Sequence, residues 1–255
     1  MGPNTPLIPV LAVFGLVFGS FTTALSYRLP KHQSIARGRS KCAACGHELG
    51  PADLIPVASW VVHGGKCRYC RAKISARYPA IELMTMGLFV AAGMLVPDMN
   101  HLLVLLAMSP IMVALAVTDL EHKRLPNALL FVLTALALLW RGTGDGDVVT
   151  GSLTAVLAFA ALQALDALVR KGFHRPGLGM GDAKLLALAG LALSVQGFLV
   201  FMLLAGILGS LWGALWRWRK GEGGFAFAPM VVMALWISLA VPEDVLQSIV
   251  TFSSR

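Results

Sequence analysis

Apolar positions along this chain fall in long unbroken runs, and the polar residues collect in the intervals between them. A strand pattern would alternate and a surface helix would show one apolar stripe; these runs do neither. About 17 to 25 apolar residues are what an α-helix needs to cross roughly 30 Å of hydrocarbon. Eight runs near that length lie at 6–26, 79–96, 101–118, 126–140, 148–169, 183–196, 198–216 and 225–241. The runs at 126–140 and 183–196 are short, and the second suits a tilted or half-buried helix, so seven spans is the competing count. The pattern predicts an all-α polytopic membrane protein with about eight transmembrane helices. The first run follows "MGPNTP", without a basic segment before it or a small-residue cleavage signature after it, and reads as a retained anchor.

Composition agrees. Of 255 residues 57% are hydrophobic and 13% charged, half the charged share of a soluble domain. The net charge of +8 changes the picture only through its placement. If the N-terminus lies outside, the inside intervals hold ten Lys/Arg in 27–78, Lys123 and Arg124, four at Arg170, Lys171, Arg175 and Lys184, and three at Arg217, Arg219 and Lys220. Only Arg141 and Arg255 remain outside, so 19 of 21 basic residues share one face, as cytoplasmic segments do. This partition expects eight spans with both termini outside. The charge is then spent on topology and attraction to the lipid bilayer, and nucleic acid is not an expected partner.

One long interval, 27–78, lacks membrane character and carries all four cysteines. It divides the chain into a first helix (1–26), a cytoplasmic domain (27–78) and a transmembrane domain (79–255). So small a unit hardly sustains a core without a metal or disulfides. Cys42-x-x-Cys45 and Cys67-x-x-Cys70 are two knuckles 21 residues apart, the spacing of a structural zinc site, in which each turn brings two thiolates to one side of a tetrahedron. Two disulfides are the alternative, disfavoured in a reducing cytoplasm. His47 is a conceivable substitute ligand. Four protein ligands close the coordination sphere, so the zinc is expected to be structural. No internal repeat or low-complexity segment stands out.

Charge at the end of an apolar segment is costly and marks candidate chemistry. Asp119, in "LAVTDLEHKRLPN", and Asp182, in "GLGMGDAKLL", fall at the same predicted face. Two carboxyls sharing a water cannot both ionise cheaply, so one keeps a proton while the other acts as base. Gly177, Gly179 and Gly181 leave room before Asp182 for an extended substrate strand. Each aspartate alone also fits helix capping. Glu121 points about 200° away from Asp119 on a helix and is the weaker candidate; Lys184 suits either support of Asp182 or a plain cytoplasmic anchor.

"GMGDAKLL", "TDLEHKRLP", the two C-x-x-C pairs, "FGSFTTALSYRLP", "IPVASWVVHGGKCRYC" and "SARYPAIELMT" together resemble the bacterial type IV prepilin peptidases, a family of G-x-G-D intramembrane aspartyl proteases, from about residue 18 to 229. The resemblance implies an inner-membrane enzyme that cleaves prepilins and pseudopilins of type IV pilus and type II secretion systems after a leader glycine. Asp119 and Asp182 fall at the family's catalytic aspartates. It also implies N-methylation of the new N-terminus with S-adenosylmethionine, with Gly65 and Lys66 falling in the "GGKC" stretch tied to that activity. Two departures, Thr22-Thr23 after "GSF" and "AFAP" at 226–229, are expected to leave the aspartates untouched. A proton-coupled transporter gated by the zinc domain is the alternative from another class; both acids near one face argue against it.

Overall fold

A computed structural model describes residues 4–31, 33–34, 39–144, 146–173, 178–220, 225–241 and 245. Among them, regular structure is helical, with two isolated β-bridges. The helices are α1 (Ile8–Arg28), α2 (Ala58–Val62), α3 (Arg77–Leu95), α4 (Met99–His122), α5 (Asn127–Thr143), α6 (Val148–Phe173), α7 (Met180–Ala192), α8 (Val195–Lys220) and α9 (Ala228–Ala240). Each apolar run of the sequence became one helix; α2 alone is extra. Stretches covering α1, α3, α4, α6 and α8 are long and apolar enough to cross a membrane, whereas α5 and α9 are shorter apolar helices.

Among the helix ends that differ from the expected runs, two bear on the site. The helix expected over 183–196 is Met180–Ala192, so Asp182 lies inside its first turn and not ahead of it. The helix expected over 225–241 begins at Ala228, because Phe225, Ala226 and Phe227 form a loop that packs on α8.

The chain forms two compact units, Met1–Pro97 and Asp98–Arg255. In the first, α1 and α3 pack backbone to backbone. A Cβ on Gly15 would stand 2.6 Å from Met86 Cα, and one on Gly19 2.6 Å from Glu82 Cα. Small residues four apart allow this approach, which replaces a hydrophobic driving force that lipid does not supply. Buried Glu82 accepts a hydrogen bond from the Val57 N–H at 2.7 Å. Val57 has φ +60, costly for a β-branched residue, and this bond ties the loop leading into α2 to α3.

In the second unit α4 runs through the centre, its middle buried. Pro110 interrupts its ladder, and the polar group beside the break is used: Ser109 donates to the Leu105 carbonyl at 2.7 Å and accepts from the Trp236 indole of α9 at 3.0 Å. The helix ends at His122, with Lys123 left-handed at φ +51 and its N–H donating to the Asp119 carbonyl at 2.8 Å, a left-handed C-terminal cap. Helices α6 and α7 meet where a Cβ on Gly151 would stand 2.8 Å from the Leu191 carbonyl oxygen.

Candidate active site and cysteine cluster

Asp119 occupies the last turn of α4 and is 6% exposed. A carboxylate there faces the negative end of its own helix dipole, so it needs donors from elsewhere. The start of α9 supplies one: Oδ2 of Asp119 accepts from the backbone N–H of Ala228 at 3.0 Å, an amide that an α-helix leaves without an internal partner. The "AFAP" departure was expected to stay clear of the aspartates, and it does not, because its third residue contacts Asp119 through the main chain.

Asp182 is the third residue of α7. The N-cap is Gly179, with no side-chain cap, so the capping role open to Asp182 in sequence terms is not the one it takes. Among the described residues its buried Oδ1 has no hydrogen-bond partner, and the residue is half-buried. A Cβ on Gly179 would stand 2.9 Å from its Oδ2, so glycine there gives the carboxylate its place. A Cβ on Gly181 would press on Leu125 at 3.1 Å. Gly177 lies outside the described residues.

The two aspartates line one cavity of about 420 Å³, together with Lys123, Arg124, Leu125, Asn127, Gly179, Met180, Gly181 and Lys184. Lys184 donates to the Asn127 side-chain oxygen at 3.1 Å, which sets the ammonium group on the rim by way of α5. The sequence reading did not assign Lys123, Arg124, Leu125, Asn127 or Met180 to the cavity wall, nor the Ala228 amide to Asp119. Asn127 sits in the stretch "RLPN" beside Asp119's motif, a signal that was present; Ala228 contributes only an amide, for which no side-chain signal exists. Glu121 is exposed and not part of the cavity wall.

In the first unit the four cysteines converge, their sulfurs all within 4.8 Å of one another and Cys42 Sγ 3.9 Å from Cys70 Sγ. A tetrahedron of Zn–S bonds near 2.3 Å has edges of about 3.8 Å, so the set fits a closed four-thiolate metal site. The two knuckles share one pattern, a short repeat that the letters hide. The Gly46 N–H donates to the Cys42 carbonyl at 2.9 Å and the Arg71 N–H to the Cys67 carbonyl at 3.0 Å. Cys42 in turn donates to the His47 carbonyl and Cys67 to the Ala72 carbonyl, and each knuckle closes with an antiparallel bridge, Lys41 to Glu48 and Lys66 to Lys73. Gly46 and Arg71 hold the same left-handed position at φ +71 and +61. The N–H groups of Cys45 and Ala44 lower the Cys42 thiol from its ordinary 9.0 to about 6, while, against the Ala72 N–H, burial and the neighbouring cysteines raise Cys70 to about 11, so the thiols share charge unequally. His47 stacks on Tyr69, ring centroids 3.6 Å apart, and is not among the grouped ligands.

Gly65 is buried at φ +67, its place closed by Trp60, whose ring a Cβ would meet at 2.8 Å. Lys66 beside it is exposed.

Comparison with known proteins agrees with this arrangement. Residues 13–96 match the bacterial peptidase A24 N-terminal domain and residues 105–214 the type IV leader peptidase family. A prepilin leader peptidase/N-methyltransferase of Bacillus subtilis is 34% identical over 209 residues, 82% of this chain and 82% of the relative. One from Myxococcus xanthus is 35% identical over 224 residues, 86% of this chain and 66% of its own length. One from Pseudomonas aeruginosa is 29% identical over 279 residues, covering 97% and 96%. No solved structure matches significantly. Nothing in these relatives supports a transporter. With a two-carboxylate cavity behind a G-x-G-D turn, a four-cysteine cluster, and matches running along most of its length, the chain belongs to the type IV leader peptidase family.

Proposed function

We propose that the chain is an aspartic endopeptidase that removes the leader from prepilins and pseudopilins at the cytoplasmic membrane face, with Asp119 and Asp182 as its catalytic residues. The observation that carries this reading is their convergence on one cavity from the ends of α4 and α7. A water held between the carboxyls loses a proton to one of them as its oxygen bonds to the scissile carbonyl carbon, while the other carboxyl protonates the carbonyl oxygen. Collapse then breaks the C–N bond: the proton taken from water passes to the leaving nitrogen, and a hydroxyl proton of the diol returns to the second carboxyl. Gly179 and Gly181 leave the approach to Asp182 free of side chains, and Lys184 supports the loop from the rim.

The relatives' names couple cleavage to N-methylation, and we extend that second activity to this chain, with S-adenosylmethionine supplying the methyl group to the new N-terminal amine. Of the two candidate residues, Lys66 presents a side chain to solvent and Gly65 shapes the turn under Trp60. Zinc at Cys42, Cys45, Cys67 and Cys70 is structural in this reading, since the four thiolates leave no open position. The distribution of basic residues supports an inner-membrane orientation with the cysteine domain and the aspartates on the cytoplasmic side and both termini periplasmic. The deciding experiment is cleavage of a prepilin in membranes by Asp119→Asn and Asp182→Asn, near-isosteric changes that remove the acid. Loss of cleavage by both inserted proteins is the expected result, and normal cleavage by either one overturns the reading.

A further inference from the structure

The amide that meets Asp119 is held in place by a helix that contributes no side chain to the cavity wall. Gly209 and Gly213 lie one turn apart on α8. A side chain at Gly209 would collide with the ring of Phe227, and a Cβ at Gly213 would stand 3.2 Å from that of Phe225. The two rings meet edge to face with centroids 6.1 Å apart. Between the glycines, the Trp212 indole N–H donates to the Ala226 carbonyl at 3.0 Å, and Ala226 is buried. Two residues on, the Ala228 N–H donates to Asp119 Oδ2. The loop is therefore fastened to α8 on one side and to Asp119 on the other.

We propose that Trp212 and the glycine notches of α8 are positioning residues for cleavage: they hold the Ala228 N–H where it orients the Asp119 carboxylate. This rests on the two-aspartate reading above. A donated N–H favours the ionised form of the carboxyl that accepts it, so this bond suits Asp119 to meet the water with its other oxygen as the proton acceptor. Asp182, whose buried Oδ1 accepts from no donor among the described residues, is the partner that brings the proton for the carbonyl oxygen.

The test uses the full chain in proteoliposomes with a purified prepilin. Replacing the Ala228 amide by an ester deletes the single N–H, and Trp212→Phe deletes the indole N–H while keeping an aromatic ring at that position of α8. The expected result is a fall in kcat of about tenfold for the ester and about threefold for Trp212→Phe, with KM within about twofold of wild type in both. Should the ester protein fail to insert, Trp212→Phe alone decides. Wild-type kcat, or a loss confined to KM, overturns the proposal. Asp119→Asn in the same preparation separates the two readings: inactive beside a fully active ester protein, it leaves the aspartate pair standing and removes the positioning loop, whereas an active Asp119→Asn removes both.

Discussion

Asp119 and Ala228 stand 109 residues apart in the chain and 3.0 Å apart in the fold, carboxylate oxygen to backbone nitrogen. The bond joins the negative end of one helix to the positive end of another. It places the carboxylate of α4 where a helix dipole favours an anion, which its own helix does not.

Asp119→Asn and Asp182→Asn are each expected to lower the rate of leader cleavage by at least about a hundredfold, the scale of a lost acid or base. Conversion of prepilin to mature pilin on a gel measures this, alongside immunoblots for membrane insertion. A residual rate near wild type for either would remove that residue from the chemistry.

Gly179→Ala introduces a methyl 2.9 Å from Asp182 Oδ2, too close for the carboxylate to stay where it is. Cleavage is expected to fall by about tenfold with little change in thermal stability, since the displaced group is a rotatable side chain. Steady-state kinetics together with a melting curve separates the two effects; equal activity would show that Asp182 has room to spare.

Gly19→Ala has the opposite signature. Its new methyl would stand 2.6 Å from Glu82 Cα, and a backbone cannot rotate aside. The first unit is expected to lose about 1 to 3 kcal/mol, the cost of overpacking. Faster proteolysis of α1 and α3 in detergent is the measurement.

Purified protein is expected to contain about one zinc ion per chain, closing the four thiolates, and Cys67→Ser to lower that content. Elemental analysis decides: a metal-free protein that keeps full stability would exclude the structural role. Arg71→Gly is expected to stabilise the same domain by about 1 kcal/mol, because a side chain at φ +61 carries a penalty that glycine escapes. Slower loss of zinc to a chelator would show it.

The helices were legible because lipid demands long apolar runs, and the cysteine cluster because C-x-x-C fixes ligand spacing locally. Asp119 and Asp182 were legible as charges at the ends of such runs. Helix α7 was placed three residues late because Met180 and Gly181 carry no capping signal; Gly179 caps without a side chain. Ala228 was illegible for a different reason. Every residue but proline owns an amide, and only the packing of Phe227 against α8 selects this one. Arg71 hid the likeness of the two knuckles, since the backbone repeats a left-handed turn there without repeating the glycine.

That likeness bears on how an ion is captured. Each knuckle is a two-toothed claw, shaped by its own turn before the other arrives. Binding by one claw raises the local concentration of the remaining two sulfurs at the ion, so the second pair closes by chelation and not by a separate encounter. Loss of one cysteine then still leaves a complete claw, and loss of both in one knuckle leaves the ion held by half a grip.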